Sequence, residues 1–256
     1  VASILSEGMR LEFTKVTAGN AYMGGAFNGS SHYFTRTAAA PLNGTLGTVT
    51  NNFTIEAVVM PTSYAAGNIC GRADAAGNNA FYMKMEADGR VNIVIQNAGV
   101  ANVRYIASYQ SLPLNKKTHV TASWTSGTVV IYFDGVSVPV AAAATSGTAP
   151  TTAGTGGDWS IGRAGAIASV YFPGYISNVA VFDAVLSAST IKDHSTKKLT
   201  GSETNCIGAW SLDNTANDQS SAGNNLTATG GVGYTAMSPH GQLGNGVETT
   251  KAVGLV

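Results

Sequence analysis

The sequence predicts an all-β fold, an antiparallel sandwich or barrel with one short helix. Three observations lead there. Apolar residues recur with a period of two rather than 3.6 along most of the chain. The alternating runs are short and are separated by turns rich in Gly, Asn and Asp. The 256 residues are 44% hydrophobic, enough for a sizeable core in one large β domain or two small ones.

The runs follow in order. Phe53 to Met60 alternates and stops at Pro61. Phe81 to Glu86 and Arg90 to Gln96 flank Asp88-Gly89, a pair that supplies the positive φ of a tight hairpin. Arg104 to Tyr109 is a further strand. His119 to Trp124 and Thr128 to Phe133 form a second hairpin, and Asp134-Gly135 turns the chain into Val136-Ser137-Val138. The run from Ala141 to Gly157 is low in complexity and reads as a surface loop, since strand patterning resumes at Asp158 to Gly162. Tyr175 to Phe182 is another strand. Ser187 has the hydroxyl to cap a short helix over Ala188 to His194.

Lys and Arg total 14, as do Asp and Glu, which argues against a nucleic-acid or anionic-membrane partner. Charged residues make up 11% of the chain, under half the roughly 25% of ordinary globular domains. The surface must then rely on Ser, Thr, Asn and Gly, a composition associated with extracellular and virion-surface proteins. No apolar run reaches the roughly 18 residues of a membrane span. Cys70 and Cys206 make no C-x-x-C motif, and whether they pair is open. The N-x-[ST] sites at Asn28, Asn43, Asn52 and Asn225 are as frequent as chance allows in so Asn- and Thr-rich a chain.

Short motifs then occur in a telling order. They are Gly25 to Ser30, Asn52 to Pro61, Leu114 to Trp124, Val130 to Gly135, Ile161-Gly162-Arg163, Phe172 to Val179, and Leu186 to Ile191. Together they make residues 25–194 resemble the laminin-G-like, concanavalin-A-like jelly-roll family. Lys117 stands where the family carries a tryptophan. The resemblance implies a two-sheet antiparallel jelly-roll sandwich.

Catalysis is not expected. Glycosidases place two carboxylates about 5–9.5 Å apart, and no Glu here has an acid at i+2 or i+4 except Glu86 with Asp88, which belong to the hairpin turn. His32, His119, His194 and His240 form no paired motif, and His119 matches the family's structural histidine. The resemblance also implies one structural calcium, with Asp218 of Asp218-Gln219-Ser220-Ser221 and Asn178 as candidate ligands. Asn178 stands where the family often has an acid, and Asp218 has an alternative role as the head of an Asx-turn. Candidate sugar-stacking aromatics are Tyr64, Tyr105, Tyr109, Tyr171 and Phe172, while Trp124, Trp159 and Trp210 read as core anchors.

The expected function is a non-catalytic binding or adhesion module for cell-surface glycan. The alternative is a structural or decoration subunit of a phage virion or surface assembly, with other subunits as partners and oligomerisation in play. In the family a W-x-L-D strand and a D-x-S-G loop come first. Here Trp210 to Asp213 and Asp218 to Asn225 come last, with too little chain left for another sandwich. A circular permutation accounts for this. The expected layout is an N-terminal segment over 1–24, a sandwich over 25–236 in which 206–225 returns as a strand and loop, and a tail or arm over 237–256.

Overall fold

A computed structural model describes residues 23–36, 52–73, 80–96, 103–125, 128–143, 157–164 and 170–237, excluding the side chains of 80, 103–109, 142 and 143. In chain order the strands begin with β1 (Met23–Asn28), β2 (Tyr33–Arg36), β3 (Asn52–Pro61), β4 (Gly67–Ala73), β5 (Ala80–Met85) and β6 (Arg90–Gln96). There follow β7 (Val103–Ser111), β8 (Thr118–Thr125), β9 (Thr128–Phe133), β10 (Val136–Val138), β11 (Val140–Ala143) and β12 (Asp158–Ile161). Next come β13 (Pro173–Phe182), the helix α1 (Ala188–His194), β14 (Cys206–Trp210), β15 (Thr227–Thr229) and β16 (Gly233–Ala236).

Two antiparallel sheets pack face to face. The first has the order β10-β9-β8-β3-β13-β1-β16, and the second β11-β7-β6-β5-β4-β12-β2-β15. β14 also joins the first sheet, on β13. β1 pairs with the start of β13 at Pro173 to Ile176, whereas β14 pairs with its end at Val179 to Phe182. A bulge between Ser177 and Ala180 separates the two pairings, and Asn178 takes a φ of +49° there. Asparagine tolerates this left-handed conformation better than a branched residue would.

Alternation explains the core. Phe53, Ile55, Ala57 and Val59 of β3 point inward with Val120, Ala122 and Trp124 of β8. Phe81, Met83 and Met85 of β5 meet them from the second sheet. Aromatic rings run across the interior from Trp124 to Phe53 (6.4 Å), Phe81 (4.7 Å), Trp159 (5.8 Å) and Trp210 (5.5 Å). Each such pair is worth about 0.5–1.5 kcal/mol beyond the area it buries. All three tryptophans are fully buried. Arg72 also points inward, its guanidinium 4.6 Å from the Phe81 ring centre, and burial pulls its pKa down to about 10.

The outer face of β3 is covered by α1 and the chain around it. Ser187 Oγ accepts the Thr190 N–H, capping the helix. Thr54 Oγ1 donates to Ala184 O (2.8 Å) and accepts Leu186 N–H (3.1 Å). Ile191 and His194 are buried against the sheet. The loop expected from Ala141 starts later, because β11 pairs Val140 to Ala143 with β7. Cys70 and Cys206 are both free thiols.

Candidate functional site

The outer face of the second sheet carries the most unusual chemistry. The solvent side of an antiparallel sheet is ordinarily polar and wet, but here a polar floor is buried. Thr35, Ser160, Asn68 and Asn92 are at most 7% exposed. Register places them together. Thr35 pairs with Ser160, and their hydroxyls lie 2.9 Å apart. Ser160 pairs with Gly71, and Gly71 with Tyr82. A Cβ on Gly71 would lie 2.3 Å from that of Tyr82, so only glycine lets the Tyr82 side chain cross the sheet here. One row on, Asn68 pairs with Lys84 and Lys84 with Asn92. With strands about 4.8 Å apart, the two asparagines stand about 10 Å from each other.

Both carboxamides are fixed in orientation. Asn92 Nδ2 donates to Glu86 Oε1 at 2.6 Å, and Asn68 Nδ2 donates to Val170 O at 3.0 Å. A carboxylate and a carbonyl only accept, so each amide must turn its NH2 toward them. This leaves Asn68 Oδ1 and Asn92 Oδ1 buried with no donor. Such an oxygen costs roughly 1–3 kcal/mol unless a ligand or water donates to it. Lys84 Nζ sits 2.9 Å from Glu86 Oε2.

A half-buried aromatic shelf borders this floor. Tyr171 bridges to Asn68, and its ring lies 6.0 Å from that of Tyr33. Arg163 lies over Tyr33, its guanidinium carbon 3.9 Å from the ring centre. Among the described residues, the acids on this face are Glu86 and Asp158. Asp158 pairs with Ala73, which pairs with Ala80. The run from Ala80 to Glu86 at about 3.3 Å per residue puts the two acids about 20 Å apart. Paired glycosidase carboxylates need roughly 5–9.5 Å.

The other sequence-predicted residues lie elsewhere. Tyr64 is 44% exposed, but its hydroxyl donates to Leu112 O (3.0 Å) and its ring covers Gly89, so it clasps a turn. Phe172 is a correction: it is fully buried in the core and has no face for a sugar. Its neighbour Tyr171 takes the outward position because successive residues of an extended chain alternate. The side chains of Tyr105 and Tyr109 lie outside the described residues.

The residues proposed for calcium are engaged in hydrogen bonds within the chain. Asp218 Oδ1 accepts the N–H of Ala209 and of Ser220, both at 2.9 Å. Its Oδ2 accepts Ser220 Oγ (2.9 Å) and Asn224 N–H (2.7 Å). Four donors fill the roughly four lone-pair positions of a carboxylate. The Ser220 contact is the Asx-turn, and the Ala209 contact ties the loop to β14. Asn178 Oδ1 accepts Leu199 N–H (2.9 Å) and its Nδ2 donates to Lys197 O (3.3 Å). Both side chains brace loops. Among the described residues, no group of three or more His, Cys, Asp or Glu side chains is placed to hold a metal ion.

One buried charge cluster was not foreseen. Glu56, on the outer face of β3, is fully buried. Its Oε2 accepts His194 Nδ1 at 2.8 Å, and Oε1 accepts Thr121 Oγ1 at 3.3 Å. His119 Nε2 stands 3.8 Å from Oε2, too long for a hydrogen bond. Burial alone would raise the Glu56 pKa, yet the imidazoles of His119 and His194 outweigh it and hold it below the usual carboxylate value. The cluster is sealed under α1 and clamps that helix to the sheet.

A family model described as the concanavalin A-like lectin/glucanases superfamily matches residues 14–192. A candidate carbohydrate-binding protein of Bacteroides ovatus superposes with a TM-score of 0.59 at 18% identity, over 84% of this chain and 60% of its own. The chain thus spans less than two thirds of that relative's length. The heptameric SAP-like pentraxin of Limulus polyphemus superposes with a TM-score of 0.56 at 15% identity, over 84% of this chain and 95% of its own. At such identities the likeness is one of fold. No curated protein matches the chain significantly.

Proposed function

The chain belongs to the concanavalin A-like lectin/glucanase superfamily, and from that premise we propose that it is a non-catalytic module that binds cell-surface glycan on the outer face of its second sheet. One observation carries the reading: two buried carboxamide oxygens lack donors, that of Asn68 beside the Tyr33–Tyr171 shelf and that of Asn92 two strands along the same face. A neutral sugar supplies hydroxyl donors along its edge and an apolar face for a tyrosine ring. Arg163 and Lys84 add donors for ring and hydroxyl oxygens. The wide separation of Glu86 from Asp158 supports binding without hydrolysis.

A glycan array of the isolated chain tests the reading, run with and without chelator. Retention of one glycan class, unchanged by chelator, supports it. Silence against all glycans, or release of reducing ends from a bound polysaccharide, contradicts it.

A second reading is a subunit of a phage virion or other surface assembly. The heptameric state of the Limulus relative and the 11% charged composition favour it. Both readings put the protein outside the cell or on a virion surface, and both hold together if an assembly displays the glycan-binding face. Sedimentation velocity decides the oligomeric part.

A further inference from the structure

A separate cleft opens at the β10 edge of the first sheet. It has a volume of about 560 Å3, within the roughly 300–1,000 Å3 of small-ligand sites. Register explains its walls. Thr118 pairs with Val59, Phe133 with Val120, and Val136 with Phe133. All three therefore share the inward direction of the core residues Val59 and Val120. Gln110 and Ser111 of β7 also line the cleft, which leaves Phe133 half-buried and Val136 exposed. Val136 is 60% exposed although it points to the core side.

The floor of the cleft holds an anomaly. Thr118 is 3% exposed, and its hydroxyl has no hydrogen-bond partner. A buried hydroxyl without a partner is costly, and replacing it by a methyl of the same shape is ordinarily neutral or stabilising. The half-buried Phe133 beside it presents an aromatic wall. The lining carries one charge of each sign, on Lys116 and Asp134. An ionic ligand therefore gains little. The fitting ligand is neutral, with an apolar face for Phe133 and a hydroxyl for Thr118.

We propose that this cleft is a second binding subsite, for a neutral pyranoside. The sugar stacks on Phe133 and exchanges a hydrogen bond with Thr118 Oγ1. The proposal rests on the glycan reading of the chain but uses none of the residues of the first face. Two subsites on one chain would let a branched or repeating glycan engage twice, raising avidity without a new contact.

Amide-resolved NMR titration with methyl α-glucoside, methyl α-galactoside and methyl α-mannoside tests it. The expected result is saturable shifts at Thr118, Phe133 and Val136 with at least one of the three. Thr118→Val should weaken that binding about tenfold while raising Tm by about 2–4 °C. Val136→Lys, at an exposed position that folding does not need, should block the cleft outright. No shift at the cleft with any pyranoside overturns the proposal, as does unaltered binding in both variants. Signals of Tyr33, Arg163 and Tyr171 report the first face in the same spectra. Loss at the cleft alone removes only the second subsite, and loss at the face alone removes only the first.

Discussion

Replacing Glu56 by alanine should unclamp α1. The carboxylate is fully buried, with His194 Nδ1 at 2.8 Å, His119 Nε2 at 3.8 Å and Thr121 Oγ1 at 3.3 Å. Removing one partner of a buried pair costs about 3–5 kcal/mol, because the others keep the desolvation without the attraction. Taking about 3 kcal/mol, and about 2–4 °C per kcal/mol for a chain of this size, Glu56→Ala should lower Tm by about 6–12 °C. His194→Ala should cost a similar amount. The double variant should cost less than the sum, leaving a coupling of about 2 kcal/mol. Urea unfolding at neutral pH measures all four proteins. Acid adds a signature whose sign is fixed: the Glu56 pKa is lowered in the folded state. Its contribution is therefore complete above the unfolded value of about 4.3 and is lost as pH falls through the folded value. Wild type should lose stability in that window more steeply than Glu56→Ala. Additive single costs, or equal acid slopes, would refute the clamp.

Further predictions concern the closing strand, the loop and the floor of the site. Trp210 is fully buried, stacks 5.5 Å from Trp159 and donates Nε1–H to Asn224 O at 2.9 Å. Trp210→Ala should cost about 3–5 kcal/mol in urea unfolding. Truncation after Asn205 should give no cooperative transition, whereas native-like melting of the truncated chain would separate 206–236 from the sandwich. Calcium in millimolar excess should leave Tm unchanged, because the Asp218 oxygens already accept four donors; a rise that grows with the logarithm of calcium concentration would reveal a bound ion. Asp218→Ala should cost about 2 kcal/mol by freeing the 218–225 loop from β14, read as faster amide exchange at Ala209 and Asn224. Asn92→Leu should weaken glycan binding at a small net change in Tm, since removing an oxygen that lacks a donor offsets the lost bond from Nδ2 to Glu86.

Alternation made much of the sandwich legible. Phe53 to Met60 and Arg90 to Gln96 each carry apolar residues at every second position, and both fold as strands. The Ser187 cap marked the start of α1. Short or glycine-bearing strands left no such trace. β4 contains Gly67, Gly71 and a bulge between Asn68 and Cys70 that breaks the period. β15 and β16 have three and four residues, too few for a pattern. The site was less legible because it is made by register. Asn68, Lys84 and Asn92 have no motif in common, and only pairing across β4, β5 and β6 aligns them. Tyr171 was visible as an aromatic near a strand start, yet nothing local told its outward position from the inward one of Phe172. Glu56 and His194 are 138 residues apart and meet only after α1 docks. The Asp218 motif was readable, but an Asx-turn and a cation compete for the same oxygens, and spacing alone does not tell them apart.

The central claim is that the outer face of the second sheet holds sugar without cleaving it. Calorimetric titration of the strongest array glycan against wild type, Tyr171→Ala and Arg163→Ala tests it most directly. Each variant should bind at least about tenfold more weakly, the loss of about 1.4 kcal/mol or more, with Tm within about 2 °C of wild type and the glycan recovered intact. Wild-type affinity in both variants would contradict the account.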